Sequence, residues 1–294
     1  MSSKTTTPSL LSDLKLLFKA RVLIANVMPV LTGFWLASFF TQSSLFSNWG
    51  LLLLTLVGST LVMSGALALN NWYDVDIDTI MERTKQRPTV TGHISLHVVL
   101  VIGIVLSVAG IGLLLVASIE SAIYAFVGWF TYVILYTMWA KRRYTFNTII
   151  GSISGAVTPL IGWTALASGF HTVPIVYFLI LFFWQMPHTY AIAMRNYNEY
   201  RAGGVAMLPV VHGFATTKRH IVVYVICLLP LPFFLTQLGA AYIIITTVMN
   251  LSWLAVCIRG FFTKDDLRWA QSIFKFSVYY LIAIFLIPII VIII

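Results

Sequence analysis

Apolar residues dominate this chain in long runs, and short polar segments separate one run from the next. Each run is about twenty residues long, which is the length that an α-helix needs to cross a bilayer. The alternating ten-residue segments of an outer-membrane barrel are absent from the sequence. The pattern predicts an all-α polytopic membrane protein with about nine transmembrane helices. Their expected ranges are roughly 22–41, 49–69, 97–117, 121–139, 147–167, 173–194, 221–238, 241–259 and 276–294.

Composition agrees with the pattern, because 60% of the 294 residues are hydrophobic, only 9% are charged and the mean hydropathy is +0.94. These values exclude a soluble domain. We expect a polar leader at 1–21, in which Ser12 and Asp13 cap a short amphipathic helix, and one transmembrane domain at 22–294. The polar leader and the full length of the first apolar run argue against a cleavable signal peptide. Cys227 and Cys257 lie inside apolar runs, without metal-ligand spacing, and are interpreted as core residues.

The net charge of +9 would favour a nucleic-acid partner in a soluble protein, but here the positions of the charges favour membrane orientation instead. If the N-terminus lies inside, the inner segments hold all 18 Lys and Arg and the outer segments hold none. This asymmetry predicts a cytoplasmic N-terminus and an outside C-terminus. Eight of the nine Asp and Glu are also on the inner side, with Glu120 as the exception. Acidic residues contribute little to orientation, so their clustering needs another explanation.

Three oxygen-bearing side chains follow the second apolar run at a spacing of four residues: Asn70, Asp74 and Asp78. On a helix this spacing forms one polar stripe, and such oxygens suit a hard cation such as Mg²⁺. The competing interpretation is a solvated helix end whose acids pair with nearby cations. Asp76 is out of phase with the stripe, and we expect it to form a salt bridge or to face solvent.

Basic residues follow the stripe at Arg83, Lys85 and Arg87, and Pro88 directs the loop that comes next. Their functional interpretation is diphosphate recognition, because Arg donates bidentate hydrogen bonds and Lys supplies a point charge. The same residues would also satisfy the positive-inside rule. The run from Lys141 through Arg142 to Arg143 has the same two interpretations.

His188 lies near the inner end of the sixth predicted span, beside Gln185 and Pro187. A histidine in an apolar setting needs a partner or a cavity. It is either a core histidine with a satisfied hydrogen bond or a functional group. The functional alternatives are a heme-iron ligand, a proton donor or acceptor, and a hydrogen-bond donor to a substrate carboxylate.

Four blocks of the sequence form one set of motifs, in this order: Asn70-x₃-Asp74-x₃-Asp78-x₂-Met81-x-Arg83-Thr84-x₂-Arg87-Pro88; Tyr136-Thr137 to Lys141-Arg142-Arg143 with Asn147; Gly151 to Gly162-Trp163 with Pro159; and Trp184-Gln185-Met186-Pro187-His188 to Met207-Leu208-Pro209-Val210-Val211. Together they resemble the UbiA-type intramembrane prenyltransferases, over about residues 15–290. The first block resembles the first aspartate-rich motif of that family, in the form found in its heme-farnesylating branch.

The resemblance implies farnesyl transfer from farnesyl diphosphate to the 2-vinyl group of heme B, with addition of water, to give heme O. It implies Mg²⁺ as the cofactor, held by Asn70, Asp74 and Asp78, which are also the implied catalytic residues. The implied diphosphate-binding residues are Arg83, Lys85, Arg87 and Lys141. The implied heme-binding residues are His188, Arg142, Arg143, Arg195, Arg201 and Tyr200.

The same resemblance implies a bacterial cytoplasmic (inner) membrane location with the site toward the cytoplasm. Membrane lipids and later heme-modifying or terminal-oxidase assembly proteins are the further implied partners, and no nucleic acid is expected. Two alternatives stay open: a prenyltransferase acting on an aromatic quinone precursor, and a membrane transporter or channel. The latter would place ionisable residues deep inside the spans, whereas nearly all charges here lie at one membrane face.

The chain departs from the family pattern at two places. Ala206 stands where the family commonly has Pro, which we expect to alter loop rigidity only. The second aspartate-rich motif of the quinone-pathway relatives is replaced by a loop that offers Arg195, Asn196, Glu199, Tyr200 and Arg201. A second Mg²⁺ is therefore in doubt, and the loop suits an anionic acceptor. The sixth span and this loop resemble the second span and its loop in position, which favours two related bundles facing each other.

Overall fold

The computed structural model describes residues 9–293, and the regular elements in that range are helices. A π-helical segment, Thr131–Ala140, continues the seventh α-helix. The α-helices are α1 Leu10–Leu17, α2 Ala20–Phe40, α3 Trp49–Tyr73, α4 Val75–Ile80, α5 Pro88–Thr91, α6 Leu96–Ala117, α7 Ile119–Phe130, α8 Asn147–Ala156, α9 Thr158–Trp163, α10 Thr172–Arg195, α11 Tyr197–Ala202, α12 Leu208–Leu228, α13 Gly239–Ile258 and α14 Asp266–Ile293. The predicted leader residue Lys4 lies outside the described residues.

Eight helices between residues 9 and 293 are long and apolar enough to cross a membrane, which confirms the all-α, multi-pass architecture. The predicted fifth span is not among them, because it is divided into α8 and α9 at Val157. Pro159 has no N–H to donate to Gly155 O, and Thr158 Oγ1 donates to that carbonyl instead, at 2.7 Å. The count of nine and the orientation of the termini stay predictions.

Several predicted boundaries were wrong, because helical residues occupy parts of the segments that were predicted as polar loops or as a cap. The expected loop between residues 74 and 93 contains α4 and α5, and the expected loop ending at Arg219 contains α11 and the first half of α12. The last helix begins at Asp266, ten residues before the predicted 276. In the leader, α1 is capped by Ser9, whose Oγ accepts from Ser12 N at 3.3 Å, so Ser12 and Asp13 lie inside the helix.

The bundle closes on itself, because α3 packs along α6, α10 packs against α12 and α14, and α14 returns to α2. Of the broken pair, α9 lies against α2, where Gly162 leaves no room for a Cβ beside the Val30 carbonyl, and α8 lies against α10 and the π-helical segment. Such close backbone approach is typical of small residues at membrane helix interfaces. The largest apolar core lies among α10, α12, α13 and α14, and a second core joins α2, α3, α6, α7 and α9.

Two long helices end in the same way on the side of the bundle where the basic loops lie. After α3 and after α10, one non-helical residue precedes a six-residue helix, α4 or α11. The ends of the two short helices contact each other, because Ile77 of α4 and Met81, which follows α4, pack near Tyr200 of α11 and Gly203, which follows α11. This arrangement places the ends of α3 and α10 on either side of one mouth.

Candidate active site

The acidic stripe lies at the C-terminal end of α3, where the helix is interrupted before α4. Asn70 belongs to the last turn of α3, Asp74 is the residue between α3 and α4, and Asp78 belongs to α4. Helical hydrogen bonds continue through the break, since Asp74 N donates to Asn70 O at 3.0 Å and Asp78 N donates to Asp74 O at 2.9 Å. The spacing of four residues therefore keeps its expected phase, although the helix is not continuous.

All three side chains are buried, with exposed fractions of 2% for Asn70, 0% for Asp74 and 3% for Asp78. Burying a carboxylate is costly unless it is paired, and each of these carboxylates has a cation. Lys141 Nζ pairs with Asp74 Oδ2, and Arg87 pairs with Asp78 Oδ2. The site is therefore an array of buried acids neutralised by bases from a separate helix and a following loop.

Asn70 connects this array to the π-helical segment. Its Nδ2 donates to Asp74 Oδ2 at 2.7 Å and to Thr137 Oγ1 at 3.0 Å. The hydroxyl of Thr137 in turn donates to Tyr132 O at 2.8 Å, and Lys141 N donates to Tyr136 O at 2.9 Å. Both bonds span five residues, which is the π-helical spacing often found at functional sites. The wider helix thereby turns both Thr137 and Lys141 toward the acids.

Asp76 faces away from the stripe, as its phase predicted. Its carboxylate accepts from Arg142 Nη1 at 2.6 Å and from Arg142 Nη2 at 2.7 Å. The Arg142 hydrogen bonds lower the pKa of Asp76, and the same contact raises the pKa of Arg142. Arg142 Nη2 also lies 3.8 Å from Asp74 Oδ1. Arg142, which was predicted to bind heme, is thus paired with Asp76 of α4 and lies close to Asp74.

Lys19 is a member of the site that sequence reasoning missed. Its Nζ donates to Asn70 Oδ1, across 51 residues of sequence. Burial lowers the pKa of Lys19, as do Arg87 and Lys141, while Asp78 and Asp74 oppose the shift. Sequence reasoning counted Lys19 with the orientation charges, since nothing near it in the chain indicates a partner.

Other predicted phosphate and heme residues lie outside this network. Arg83, Arg143 and Arg201 are exposed, and Lys85 forms an ion pair with Glu82. Their positions on the basic side of the bundle leave them accessible to a charged ligand at the mouth.

The predicted heme residues His188 and Arg195 meet on a different wall, between α10 and α14. His188 Nδ1 lies 2.7 Å from Ser277 Oγ, and its ring stacks on Trp184 with centroids 4.7 Å apart. Phe274 contacts the same imidazole at 5.2 Å, and the Arg195 guanidinium lies 4.9 Å from the centre of the Phe274 ring. The serine contact fits a core histidine, while the column of flat rings fits an aromatic ligand. Tyr200, the remaining predicted heme residue, belongs to the contact with α4.

An apolar pocket with a cavity volume of about 90 Å³ lies beside the acidic stripe, and part of it is open to the outside. Leu67 and Tyr132 line it next to the Asn70 network, and Ser59 and Ala125 line it further along. From Asn70 to Ser59 the helix α3 rises roughly 16 Å. Sequence reasoning did not predict this pocket, because its walls come from five helices whose apolar faces look alike in sequence.

The acidic stripe offers a divalent cation suitable oxygen ligands, but only a few of them. Among residues 9–293, no cluster of three or more His, Cys, Asp or Glu could hold a metal ion. A cation here would therefore combine the Asp74 and Asp78 carboxylates with the Asn70 amide oxygen and with oxygens of a ligand. Asp74 Oδ1 is buried and accepts no hydrogen bond from the described part of the chain, so one oxygen is available for a cation.

Comparisons with known proteins give a consistent result. The model of the UbiA prenyltransferase family matches residues 26–279. The protoheme IX farnesyltransferase of Oceanobacillus iheyensis is 51% identical over 292 residues, which are 99% of this chain and 93% of that protein. The protoheme IX farnesyltransferase of a Geobacillus species is 48% identical and covers 96% of this chain and 92% of its own.

Among solved structures, a digeranylgeranylglyceryl phosphate synthase is similar with a TM-score of 0.76 at 19% identity, covering 96% of this chain and 98% of its own. A UbiA homologue from Archaeoglobus fulgidus bound to GPP and Mg²⁺ has a TM-score of 0.71 at 14% identity, covering 96% of this chain and all of its own. At these identities the likeness shows the fold alone.

Proposed function

Because this chain belongs to the UbiA prenyltransferase family, we propose that it transfers a farnesyl group from farnesyl diphosphate to the 2-vinyl group of heme B, with addition of water, to give heme O. Relatives about half identical over nearly the whole chain carry the name of that activity. The observation that carries the chemistry is the buried Asn70, Asp74 and Asp78 stripe with its basic partners, placed at the end of an apolar pocket.

The donor half of the reaction belongs to α3, α4 and the basic residues around them. Asn70, Asp74 and Asp78 would hold Mg²⁺, which neutralises charge on a diphosphate leaving group. Lys141 and Arg87 already lie within the array and can donate to the diphosphate oxygens. Arg83 and Lys85 are exposed on the same loop and are the further diphosphate-binding candidates.

We assign the farnesyl chain to the apolar pocket beside the stripe, whose lining is mostly apolar. The pocket excludes water from the allylic carbon, so that ionisation does not end in simple hydrolysis. Tyr132 and Trp129 present aromatic rings along its wall. Aromatic faces stabilise a cation within about 6 Å, and these two rings are our candidates for that role.

The acceptor half belongs to α10, α11 and α14. Trp184, His188 and Phe274 form a flat aromatic column suited to a porphyrin face. Arg195, Arg143 and Arg201 are the candidates for the propionates, and Tyr200 lies between the acceptor and donor sides. A propionate at Arg142 would compete with Asp76, whose carboxylate accepts from both Nη atoms of Arg142.

The proposed reaction balances without a redox partner. The bond between the farnesyl C1 and the diphosphate oxygen breaks, and the diphosphate leaves with its electron pair. The terminal vinyl carbon of heme B forms the new carbon–carbon bond, which leaves a cation on the vinyl carbon next to the porphyrin. Water adds to that cation and loses a proton, giving the hydroxyethylfarnesyl side chain.

The proposed location is the bacterial cytoplasmic membrane, with the site toward the cytoplasm. The placement of all 18 Lys and Arg in the predicted inner segments supports this orientation. Heme O made there would pass to later heme-modifying or terminal-oxidase assembly proteins.

The test is expression of this chain in a bacterial host that lacks heme O, followed by pigment extraction and mass analysis. The expected result is a farnesylated, hydrated heme with the wild-type chain and little or none with Asp74→Asn. A prenylated benzoate would favour the quinone-precursor alternative. Heme O made at the wild-type level by Asp74→Asn would contradict the assignment of the site.

A further inference from the structure

Lys19 has a strained backbone between α1 and α2. Its φ of 45° and ψ of 56° lie in the left-handed region, which only one other non-glycine residue, Gln42, enters among the described residues. Such a conformation is unfavourable for an ordinary L-residue and persists only where surrounding contacts hold it. Contacts around Lys19 must therefore hold its backbone in this conformation.

The leader helix is docked onto the acidic end of α3. Asn71 Nδ2, fully buried, donates to Leu17 O at 2.7 Å, two residues before Lys19. The Leu17 side chain packs against Ala68 of α3 and Val99 of α6. These contacts set the position of residue 19 beside residue 70.

The side chain of Lys19 ends on Asn70 Oδ1, the amide oxygen of the predicted cation site. An ammonium group and a divalent cation on the same amide oxygen repel each other strongly, because both are positive and would lie within a few ångströms of each other. A cation that binds Asn70 Oδ1 therefore displaces Lys19 Nζ. Arg87 and Lys141 already surround the acids, so the displaced ammonium is favoured next to a new anion.

We propose that Lys19 is a further donor-binding residue, which exchanges Asn70 Oδ1 for an oxygen of the prenyl diphosphate when a divalent cation occupies the stripe. The inference rests on the proposed function only in taking a prenyl diphosphate as the donor. It makes the leader part of the active site, with Asn71 as the residue that positions it. A lysine suits this exchange, because its flexible stem lets one charge reach two positions.

The test compares two affinities in the purified full-length chain without heme. The first is for the non-ionising S-thiolo analogue of farnesyl diphosphate with Mg²⁺, by calorimetry; the second is for Mn²⁺ alone, by electron paramagnetic resonance. Since a hydrogen bond to a charged group contributes roughly ten- to hundredfold in affinity, Lys19→Met should weaken analogue binding by that factor. It should leave Mn²⁺ binding unchanged or tighter, because the competing ammonium is gone.

Lys19→Arg keeps the charge and should stay within about threefold of the wild-type affinity for the analogue. Lys15→Met removes an exposed charge from the same leader and should change neither affinity. Thermal unfolding of each variant checks the fold, and Lys19→Gln replaces Lys19→Met if that variant does not fold.

Unchanged analogue binding in the neutral variant would overturn the proposal. So would a parallel loss of analogue and Mn²⁺ binding, which marks a purely structural lysine. Because heme is absent from both titrations, a failure of the heme farnesylation assay leaves this result standing.

Discussion

The ends of α3 and α10 are built alike and carry different chemistry. In each case a helix of 24 or 25 residues meets a six-residue helix at one residue with intermediate dihedrals, Asp74 (φ −90°, ψ 11°) or Asn196 (φ −106°, ψ 31°). The hydrogen bonds also match, since Asn196 N donates to Ile192 O at 3.0 Å and Tyr200 N donates to Asn196 O at 3.1 Å. The predicted similarity between the second and sixth spans and the loops that follow them is therefore present in the backbone.

The side chains at the matching positions differ. At the end of α3, in the first half of the bundle, the stripe consists of Asn70, Asp74 and Asp78. At the matching positions at the end of α10, in the second half, the residues are Ile192, Asn196 and Tyr200. No carboxylate occupies the stripe of the second half, and its Glu199 corresponds to apolar Ile77. The same backbone geometry therefore provides a site at the end of α3 and at the end of α10, and the side chains at each end determine which ligand binds there. We assign the metal and diphosphate to the first half and the acceptor to the second.

Removal of one acid from the first half should have the largest effect on turnover of all the changes considered. Asp74→Asn keeps the shape but loses a buried charge, and we expect turnover to fall by roughly a hundredfold or more. Heme O formation in membranes, with farnesyl diphosphate and heme B supplied, measures the effect. Asn196→Asp is the matched control, and combining it with Asp74→Asn should not restore activity. Recovery in that double variant would show that the two halves are interchangeable.

Metal removal tests the same half by a different route. Chelation of divalent cations should abolish farnesyl transfer, and added Mg²⁺ should restore it, because the leaving diphosphate needs a counter-charge. The measurement is the rate of heme O formation before and after chelation in the same membranes. Full activity in the chelated membranes would contradict the cation site.

The pocket offers a sharper test of donor length. Ser59→Phe fills space along the pocket, and we expect preference to shift from farnesyl toward geranyl diphosphate by about tenfold or more in kcat/KM. Competition between the two donors, with products identified by mass, gives the ratio. Leu53→Phe changes an exposed position on the same helix and serves as the control. An unchanged preference between the two donors in Ser59→Phe would mean that the farnesyl group binds outside this pocket.

On the acceptor side, His188→Ala removes the Trp184 stack and the Ser277 contact. We expect heme affinity to fall by about tenfold, the size of one good contact. Spectroscopic titration with heme B measures it, and farnesyl diphosphate affinity should not change. Equal losses of both affinities would mean that His188 supports the fold rather than the acceptor.

The smallest expected effect concerns Ala206, whose N–H donates to Lys141 O at 3.3 Å. Proline has no N–H, so the family's common residue cannot form this bond. Ala206→Pro should lower the free energy of unfolding by about 1 kcal/mol and turnover by less than about threefold. Ala206→Ser keeps the N–H and should match the wild type. A larger loss of turnover in Ala206→Pro would show that this bond positions Lys141 for the reaction.

Sequence patterns could predict the parts of the molecule that depend on local spacing. Apolar runs located the eight long helices, and the spacing of Asn70, Asp74 and Asp78 indicated their common face. Helix ends were missed where polar segments form further helical turns, as in the part of α12 that precedes the kink at Gly213 (φ 76°, ψ 173°). The Lys19 contact and the pocket were missed because they join segments distant in sequence.

Whether the cation belongs to the first half alone can be measured by electron paramagnetic resonance of Mn²⁺ bound to Asp74→Asn and to Glu199→Gln, in the presence of the farnesyl S-thiolodiphosphate analogue. Glu199 is the one carboxylate of α11, so the two variants remove an acid from opposite halves. We predict loss of the bound Mn²⁺ signal in Asp74→Asn and a wild-type signal in Glu199→Gln. An equal loss in Glu199→Gln would place a cation on the second half and contradict the division between donor and acceptor.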